Sequence, residues 1–176
     1  MSSPLLVLDT NVVLDLLHFD DGVARPVLAA LQSGRVCCVV TRQTLEELRR
    51  VLAYPEFALD PARQAAILER YQAMSLMVET VAASVEMPHK GISMPFLGTP
   101  IHYGLKPVWS RMPLCSDPDD QKFLELTAAS HAQGLVSKDR ALLKLRRRCA
   151  THFQVMTPAE AGCWLDVINP GPVAET

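Results

Sequence analysis

The chain has 176 residues, of which 49% are apolar and 20% are charged. These proportions are typical of a globular chain whose core is large enough to fold unaided, and they exclude a disordered protein. The net charge of −2 argues against a general nucleic-acid coat protein, which would be strongly basic, but it leaves room for a local basic patch.

The cysteines and the apolar runs indicate in which cellular compartment the protein is expected. The five cysteines form no CxxC pair and are odd in number, so we expect reduced thiols. The first residues carry no basic region ahead of their apolar run, and no stretch approaches the roughly 18 apolar residues of a membrane span. We therefore expect a cytoplasmic protein without a membrane segment.

Strand and helix patterns alternate from the first residues onward. Residues 5–8 are four consecutive apolar residues that predict a strand buried on both faces, and a helix pattern follows at 12–17. A helix that ends at Gly34, a second buried strand at 35–41 and a helix closed by Pro55 come next.

The regular pattern weakens in the middle of the chain. Asp60-Pro61 begins a helix in the cap-then-proline order, and a weak strand pattern follows at 77–81. From about 86 to 115 no period is visible, and prolines and glycines are frequent. Segments of this kind are usually functional, in contact with a partner or partly disordered. We interpret it as an insertion in a single domain, residues 1–170, followed by a tail at 171–176.

Regular patterns return after the insertion. A helix pattern follows Asp117, a short strand lies at 135–137, and Asp139 opens another helix. A last strand at 153–156 leads into a final helix that starts near Pro158. Strands that alternate with helices predict an α/β fold with a parallel sheet and right-handed crossovers.

Four carboxylates fall where such a sheet would bring them together. Ligands bind beyond the carboxyl ends of parallel strands, and Asp9 and Asp139 each follow a strand. Glu47 lies less than two turns into the helix after the second strand. Asp120 begins a crossover helix, whose N-terminus lies at the same edge. We therefore expect these four side chains to form one site.

Helical faces distinguish these acids from their neighbours. Glu46 lies three and four residues before two arginines, which suits an exposed, ion-paired position, so Glu47 is preferred for the site. Asp120 shares a face with the apolar residues of its helix, whereas Asp119 pairs more naturally with Lys122.

Crowded carboxylates of this kind predict a metal centre. Carboxylates pressed together on a half-buried face repel one another, and each loses hydration. A divalent cation removes both penalties, and oxygen ligands select hard ions, Mg²⁺ or Mn²⁺. Such ions activate and orient a water molecule and stabilise charge on a phosphate, in one-ion or two-ion sites. The sequence leaves the number of ions open.

Polar neighbours are expected to support the four acids. Asn11 could hold a water molecule or a phosphate, Ser137 could position Asp139, and Asp117 lies beside the third acid. Asp15, one turn after Asn11, is expected to be an exposed helix acid rather than a supporting group.

Simpler explanations exist for each acid on its own. Asp9 and Asp139 could cap the helices that follow them. The acids at 117–120 could be first-turn residues favoured by the helix dipole, and Glu47 could be a solvated helix residue. The metal hypothesis gains its weight from their joint placement at one edge.

Four motifs in this chain resemble those of the PIN domain family. Asp9-Thr10-Asn11-Val12 is similar to the opening motif, and residues 41–52, with Glu47-Leu48, are similar to the second-acid helix. Residues 117–124 and Ser137-Lys138-Asp139 resemble the third and fourth motifs. The third motif and the closing residues 157–160 are also similar to a subgroup of toxin components from toxin–antitoxin pairs. The likeness covers about 5–81 and 117–165.

The resemblance implies a PIN-like three-layer α/β/α fold around a central parallel sheet of about five strands. It also implies an endoribonuclease that uses Mg²⁺ or Mn²⁺ and metal-activated water to cleave single-stranded RNA. Asp9, Glu47, Asp120 and Asp139 would be its catalytic residues and metal ligands. A homodimer and an antitoxin partner are implied less directly, and the insertion at 86–115 departs from the family pattern.

Basic side chains near the acids are candidates for RNA contacts, namely Arg42, Lys138, Arg140 and Lys144. Such groups would follow an RNA backbone and make binding salt-dependent. The alternative is a non-catalytic module that binds nucleic acid or protein and whose acids are structural. An intact protein that is inert toward varied RNAs with Mn²⁺ would favour this alternative.

Overall fold

The computed structural model describes residues 3–79 and 112–168. Within these residues, five strands form one sheet and eight α-helices surround it. The strands are β1 (Leu5–Leu8), β2 (Cys37–Val40), β3 (Ser75–Met77), β4 (Gly134–Val136) and β5 (Gln154–Met156). The helices are α1 (Thr10–Leu17), α2 (Arg25–Gln32), α3 (Arg42–Leu52), α4 (Pro61–Ala73), α5 (Gln121–Ala129), α6 (Arg140–Leu143), α7 (Arg146–Cys149) and α8 (Pro158–Ile168).

The sheet is parallel throughout, in the order β3-β2-β1-β4-β5. The chain moves outward from β1 to β3 and then returns to place β4 on the other side of β1. The gap between β1 and β4 is therefore the point where the crossover direction reverses, and open sheets of this class bind ligands beyond the carboxyl ends of such strands. The predicted α/β fold with a parallel sheet is confirmed.

Strand side chains alternate between two apolar layers. Leu6 and Leu8 pack in the layer formed by α1 to α4 and α8, whereas Val7 packs in the layer formed by α5 to α7. Both faces of β1 are covered, which explains why its sequence is an unbroken apolar run. The arrangement has three layers, with the sheet between two layers of helices.

A reciprocal cap fixes the start of α3. The Thr41 hydroxyl accepts a hydrogen bond from the Thr44 backbone N–H at 3.2 Å, and the Thr44 hydroxyl accepts one from the Thr41 N–H at 3.0 Å. These bonds satisfy donors that the first turn would otherwise leave free. The helix therefore begins directly after β2, and Glu47 is held near the carboxyl edge of the sheet.

The structure departs from the predicted elements in three places. The third strand is Ser75–Met77 rather than 77–81, because it pairs with Cys38–Val40 as soon as α4 has ended. The helix predicted after Asp139 is divided into α6 and α7, since the Leu145 N–H bonds to a carbonyl only three residues back. Asp120 ends a 3-10 turn, Pro118–Asp120, that precedes α5.

Some predictions lie outside the described residues. These are the insertion at 86–115, except for its last residues from Met112 onward, and the tail at 171–176. The extent of the domain, 1–170, also stays a prediction. The five cysteines are free, as expected. Among the described helices, none is long and apolar enough to cross a membrane.

Candidate functional site

Asp9 lies where β1 ends and α1 begins. It is 3% exposed, and its carboxylate accepts hydrogen bonds from the Ser137 hydroxyl at 2.7 Å and from the Asn11 backbone N–H at 3.4 Å. Burial raises the pKa of Asp9, and the charges of Glu47 and Asp139 raise it further, whereas the two hydrogen bonds lower it. A positive charge placed beside the Asp9 carboxylate would therefore stabilise its ionised form.

Ser137 connects Asp9 with the second acid at the reversal point. The serine is fully buried just after β4, and its hydroxyl oxygen accepts a hydrogen bond from the Asp139 backbone N–H at 2.9 Å. The Asp139 carboxylate accepts a bond from the Ala141 N–H at 2.5 Å and so caps α6. One hydroxyl group therefore fixes the ends of two neighbouring strands, and with them two acids.

Glu47 reaches the same edge from α3. Its Oε1 accepts a hydrogen bond from the Thr10 hydroxyl at 2.9 Å, and its Oε2 forms an ion pair with Lys122 of α5. Thr10 follows Asp9 directly in the chain, so this contact brings Glu47 beside the end of β1.

Asp120 is the acid most affected by its neighbours. Partial burial is the largest cause that raises the pKa of Asp120 to about 7, and the charges of Asp9, Asp139 and Asp117 add to it. Lys122 acts in the opposite direction. Without a further cation, this carboxyl group therefore holds its proton to a much higher pH than an ordinary aspartate.

The structure thus brings the four predicted acids to one edge of the sheet, where they influence one another's charge. Their donor atoms are all carboxylate oxygens, which suit Mg²⁺ or Mn²⁺. In the part of the chain that the structure describes, no three acid, histidine or cysteine side chains already converge at ion-binding distance. The donor set fits a hard divalent ion by its chemistry. Metal binding and catalysis by these acids stay predictions.

Helix capping, the simpler explanation, accounts for part of this placement. Asp9 and Asp139 cap α1 and α6, and Asp117 caps the following 3-10 turn by accepting a bond from the Asp119 N–H at 2.9 Å. It does not account for Glu47, which lies inside α3, or for Asp120, whose carboxylate makes no capping bond. Capping and a charged site therefore coexist at this edge.

Asp15 differs from expectation and is paired with Lys138. Asp15 is 5% exposed, not an exposed helix acid, because α1 presents it to the loop that follows β4. The Lys138 ammonium donates to its Oδ1 at 2.8 Å and lies 2.6 Å from its Oδ2. The charge of Lys138 compensates this buried carboxylate. Its side chain is 48% exposed, and its predicted contact with RNA stays a prediction.

Two further ion pairs have partners other than those expected. Glu46 is exposed as predicted, but it pairs with Arg42 at 3.2 Å rather than with the arginines that follow it. Lys122 pairs with Glu47 and contacts Asp119 only through its backbone carbonyl. Asp119 was predicted to pair with Lys122 from their spacing along the chain. Such spacing carries no information about contacts with a helix in the opposite layer.

The remaining predicted contacts are on the surface. Asn11 is exposed and contacts Asp9 only through its backbone N–H. Arg140 and Lys144 are exposed beside the start and end of α6, near Asp139. They are therefore accessible to a ligand at this edge.

The fold and the site define a class of protein: an α/β protein with an acidic cluster beyond the carboxyl ends of its parallel strands. A model of the PIN domain matches residues 5–141, and the chain belongs to the PIN domain family. PIN domains are generally nucleases and typically use divalent metals, so the chain has a nuclease fold. No curated protein matches the chain.

Proposed function

We propose that this chain is a Mg²⁺- or Mn²⁺-dependent endoribonuclease that hydrolyses phosphodiester bonds in single-stranded RNA. The observation that supports this most directly is the crowding of negative charge around Asp120. Burial and the charges of Asp9 and Asp139 raise the pKa of Asp120 to about 7. These carboxylates lie at the edge of the sheet where a nuclease fold binds its ligand, and a divalent cation there would balance their charge.

The chain's own residues supply positioning. Ser137 holds Asp9 and the Asp139 backbone in a fixed relation, and Thr10 orients Glu47. When bound, a hard divalent ion supplies Lewis acidity and an activated water molecule.

The exposed basic groups beside the acids suit a phosphate backbone. Arg140 and Lys144 flank α6, and Arg147 and Arg148 are exposed on α7. Arg140 follows Asp139 directly in the chain, and together these exposed groups of α6 and α7 would guide an RNA strand toward the acidic edge. Because the net charge of the chain is −2, this attraction is local.

We extend the proposal to a cellular role. The third motif resembles that of toxin components, which supports a cytoplasmic toxin with a cognate antitoxin and a homodimeric assembly. Co-expression with the product of a small neighbouring gene tests this role. Formation of a complex that blocks RNA cleavage is expected, and a freely expressed chain without effect on growth would contradict it.

RNA cleavage tests the enzymatic proposal. We expect cleavage of unstructured RNA with Mn²⁺, its loss on chelation, and a decrease of about a hundredfold or more for Asp9→Asn or Asp120→Asn. Asp166→Asn, an exposed acid on α8, is the matched control and should cleave like the wild type. A folded wild-type protein that leaves varied RNAs intact with Mn²⁺ would instead indicate a non-catalytic binding module.

A further inference from the structure

Lys122 links two helices across the acidic edge. Glu47 belongs to α3, in one helical layer, and Lys122 belongs to α5, in the other, so their ion pair spans the end of the sheet. The ammonium group also contacts the Asp119 backbone carbonyl. The side chains of Lys122 and Glu47 are only 14% and 19% exposed, so both charges are largely withdrawn from water.

The contacts divide the four acids into two ends. Ser137 joins Asp9 and Asp139, because its hydroxyl donates to the Asp9 carboxylate and accepts from the Asp139 backbone N–H. With Asp120, which precedes α5 at the same edge, they form an aspartate end, and the negative charge of Glu47 also reaches Asp9. Glu47 forms a glutamate end, where the Thr10 hydroxyl occupies Oε1 and the Lys122 ammonium occupies Oε2. Among the described residues no cation forms an ion pair with Asp9, Asp120 or Asp139, whereas Lys122 already pairs with Glu47.

We propose that Lys122 is a built-in cation that fills the glutamate end, so that the RNA-free protein binds a single divalent ion at the aspartate end. This inference rests on the proposed function and addresses the number of ions. A second ion at Glu47 would have to displace the ammonium group from Oε2 and then lie beside its charge. Lys122 is therefore a positioning residue that sets both the number and the affinity of the bound ions.

Titration of the full chain with Mn²⁺ alone, without RNA, tests the proposal by calorimetry and by the paramagnetic signal of free Mn²⁺. The wild type should bind one ion per chain. Lys122→Met keeps the length of the side chain but removes its charge, so a second ion should bind and the first should bind about tenfold more tightly. Lys122→Arg should restore one ion. Arg70→Met, which removes an exposed cation from α4, is the control and should bind Mn²⁺ like the wild type.

A double variant keeps the test decisive if the single variant folds poorly. Lys122→Met/Glu47→Gln removes both charges of the pair without leaving either unpaired. It should bind one ion with an affinity within about threefold of the wild type, because Glu47 is not needed at the aspartate end. A loss of more than about tenfold in this variant would show that Glu47 is a ligand of the first ion and would overturn the proposal.

Further outcomes separate this inference from the proposed function. Two ions per wild-type chain, or one ion with unchanged affinity in Lys122→Met, would overturn the role of Lys122 while metal-dependent RNA cleavage still stood. Absence of Mn²⁺ binding by the wild type, together with absence of cleavage, would overturn both.

Discussion

Ser137 connects two of the acids at the candidate site. Its hydroxyl donates to the buried Asp9 carboxylate and accepts from the Asp139 backbone N–H. We expect Ser137→Ala to lower the free energy of unfolding by about 1–3 kcal/mol, because it leaves a buried acceptor and a backbone donor without their partner. Urea denaturation of the metal-free protein measures this loss.

Ser130→Ala is the control for this prediction. The Ser130 hydroxyl bonds at 2.7 Å to the Leu126 carbonyl within its own helix, so its loss should cost less. Equal destabilisation by the two substitutions would mean that the Ser137 hydrogen bonds stabilise the fold no more than a hydrogen bond within one helix does.

Asp120 makes the stability of the metal-free protein depend on pH. Its pKa is raised from the usual 3.8 to about 7, so the folded state binds a proton that the unfolded state releases between these values. The destabilising effect is therefore absent below about pH 4, grows as the pH rises, and is complete above about pH 7. We expect Asp120→Asn to stabilise the metal-free protein at pH 8 by about 1–2 kcal/mol, less than the full shift because solvent screens a partly buried group.

Thermal melting at pH 8 and pH 4.5 without divalent ions measures this effect. The gain from Asp120→Asn should shrink at the lower pH, where the wild-type carboxyl group is protonated. Asp119→Asn, at the exposed neighbouring acid, should change little at either pH. A variant at position 120 that melts at or below the wild-type temperature at pH 8 would contradict a crowded acidic site.

At the scale of elements, an ion pair fastens α1 to the loop after β4. Asp15 is buried on α1, and the Lys138 ammonium is the charge that compensates it. We expect Lys138→Met to lower the free energy of unfolding by about 2 kcal/mol or more, because an unpaired carboxylate would remain buried. Asp15→Asn should cost less, since an amide can be buried without a charge.

A double-mutant cycle isolates this pair. Lys138→Met should cost little once Asp15→Asn is present, and the coupling between the two substitutions should be about 1 kcal/mol or more. Additive effects would mean that the contact between Lys138 and Asp15 does not stabilise the fold.

Most elements could be predicted because local rules determined them. The apolar run of β1 reflects burial on both faces, and Asp60 caps α4 through the Arg63 N–H at 2.8 Å, as the Asp-Pro pattern suggests. The third strand was displaced because its position depends on pairing with β2, which no local pattern records. The burial of Asp15 likewise depends on what α1 packs against.

The same distinction applies to the candidate site. Topology predicted that acids following β1 and β4 would meet, because parallel strands end at a common edge. It could not predict that Lys122 pairs with Glu47, since the two helices lie in different layers and their contact depends on side-chain geometry at the edge. The sequence alone therefore does not predict the contacts between the two helical layers at this site.

At the scale of the whole molecule, positive charge is distributed unevenly. Arg146 is held by Glu160 through two bonds of 2.9 Å, and the pKa of Glu160 is lowered by the Thr157 N–H and by this arginine. The neighbouring Lys144 and Arg147 are exposed, so they are the better candidates for phosphate contacts. The molecule has little net charge to attract RNA, and its affinity should depend on such local groups.

We therefore expect Lys144→Gln/Arg147→Gln to weaken binding of single-stranded RNA and to make it less sensitive to salt. Each phosphate contact with single-stranded RNA contributes about 0.7 to the slope of log affinity against log salt, so the slope should fall by about 1.4. Fluorescence anisotropy without divalent ions measures this slope while cleavage is prevented. Arg63→Gln/Arg70→Gln removes the same charge from exposed positions on α4, in the other layer, and should leave the slope nearly unchanged. Equal changes in both variants would mean that RNA responds to total charge rather than to the exposed basic groups at the end of α6 and on α7.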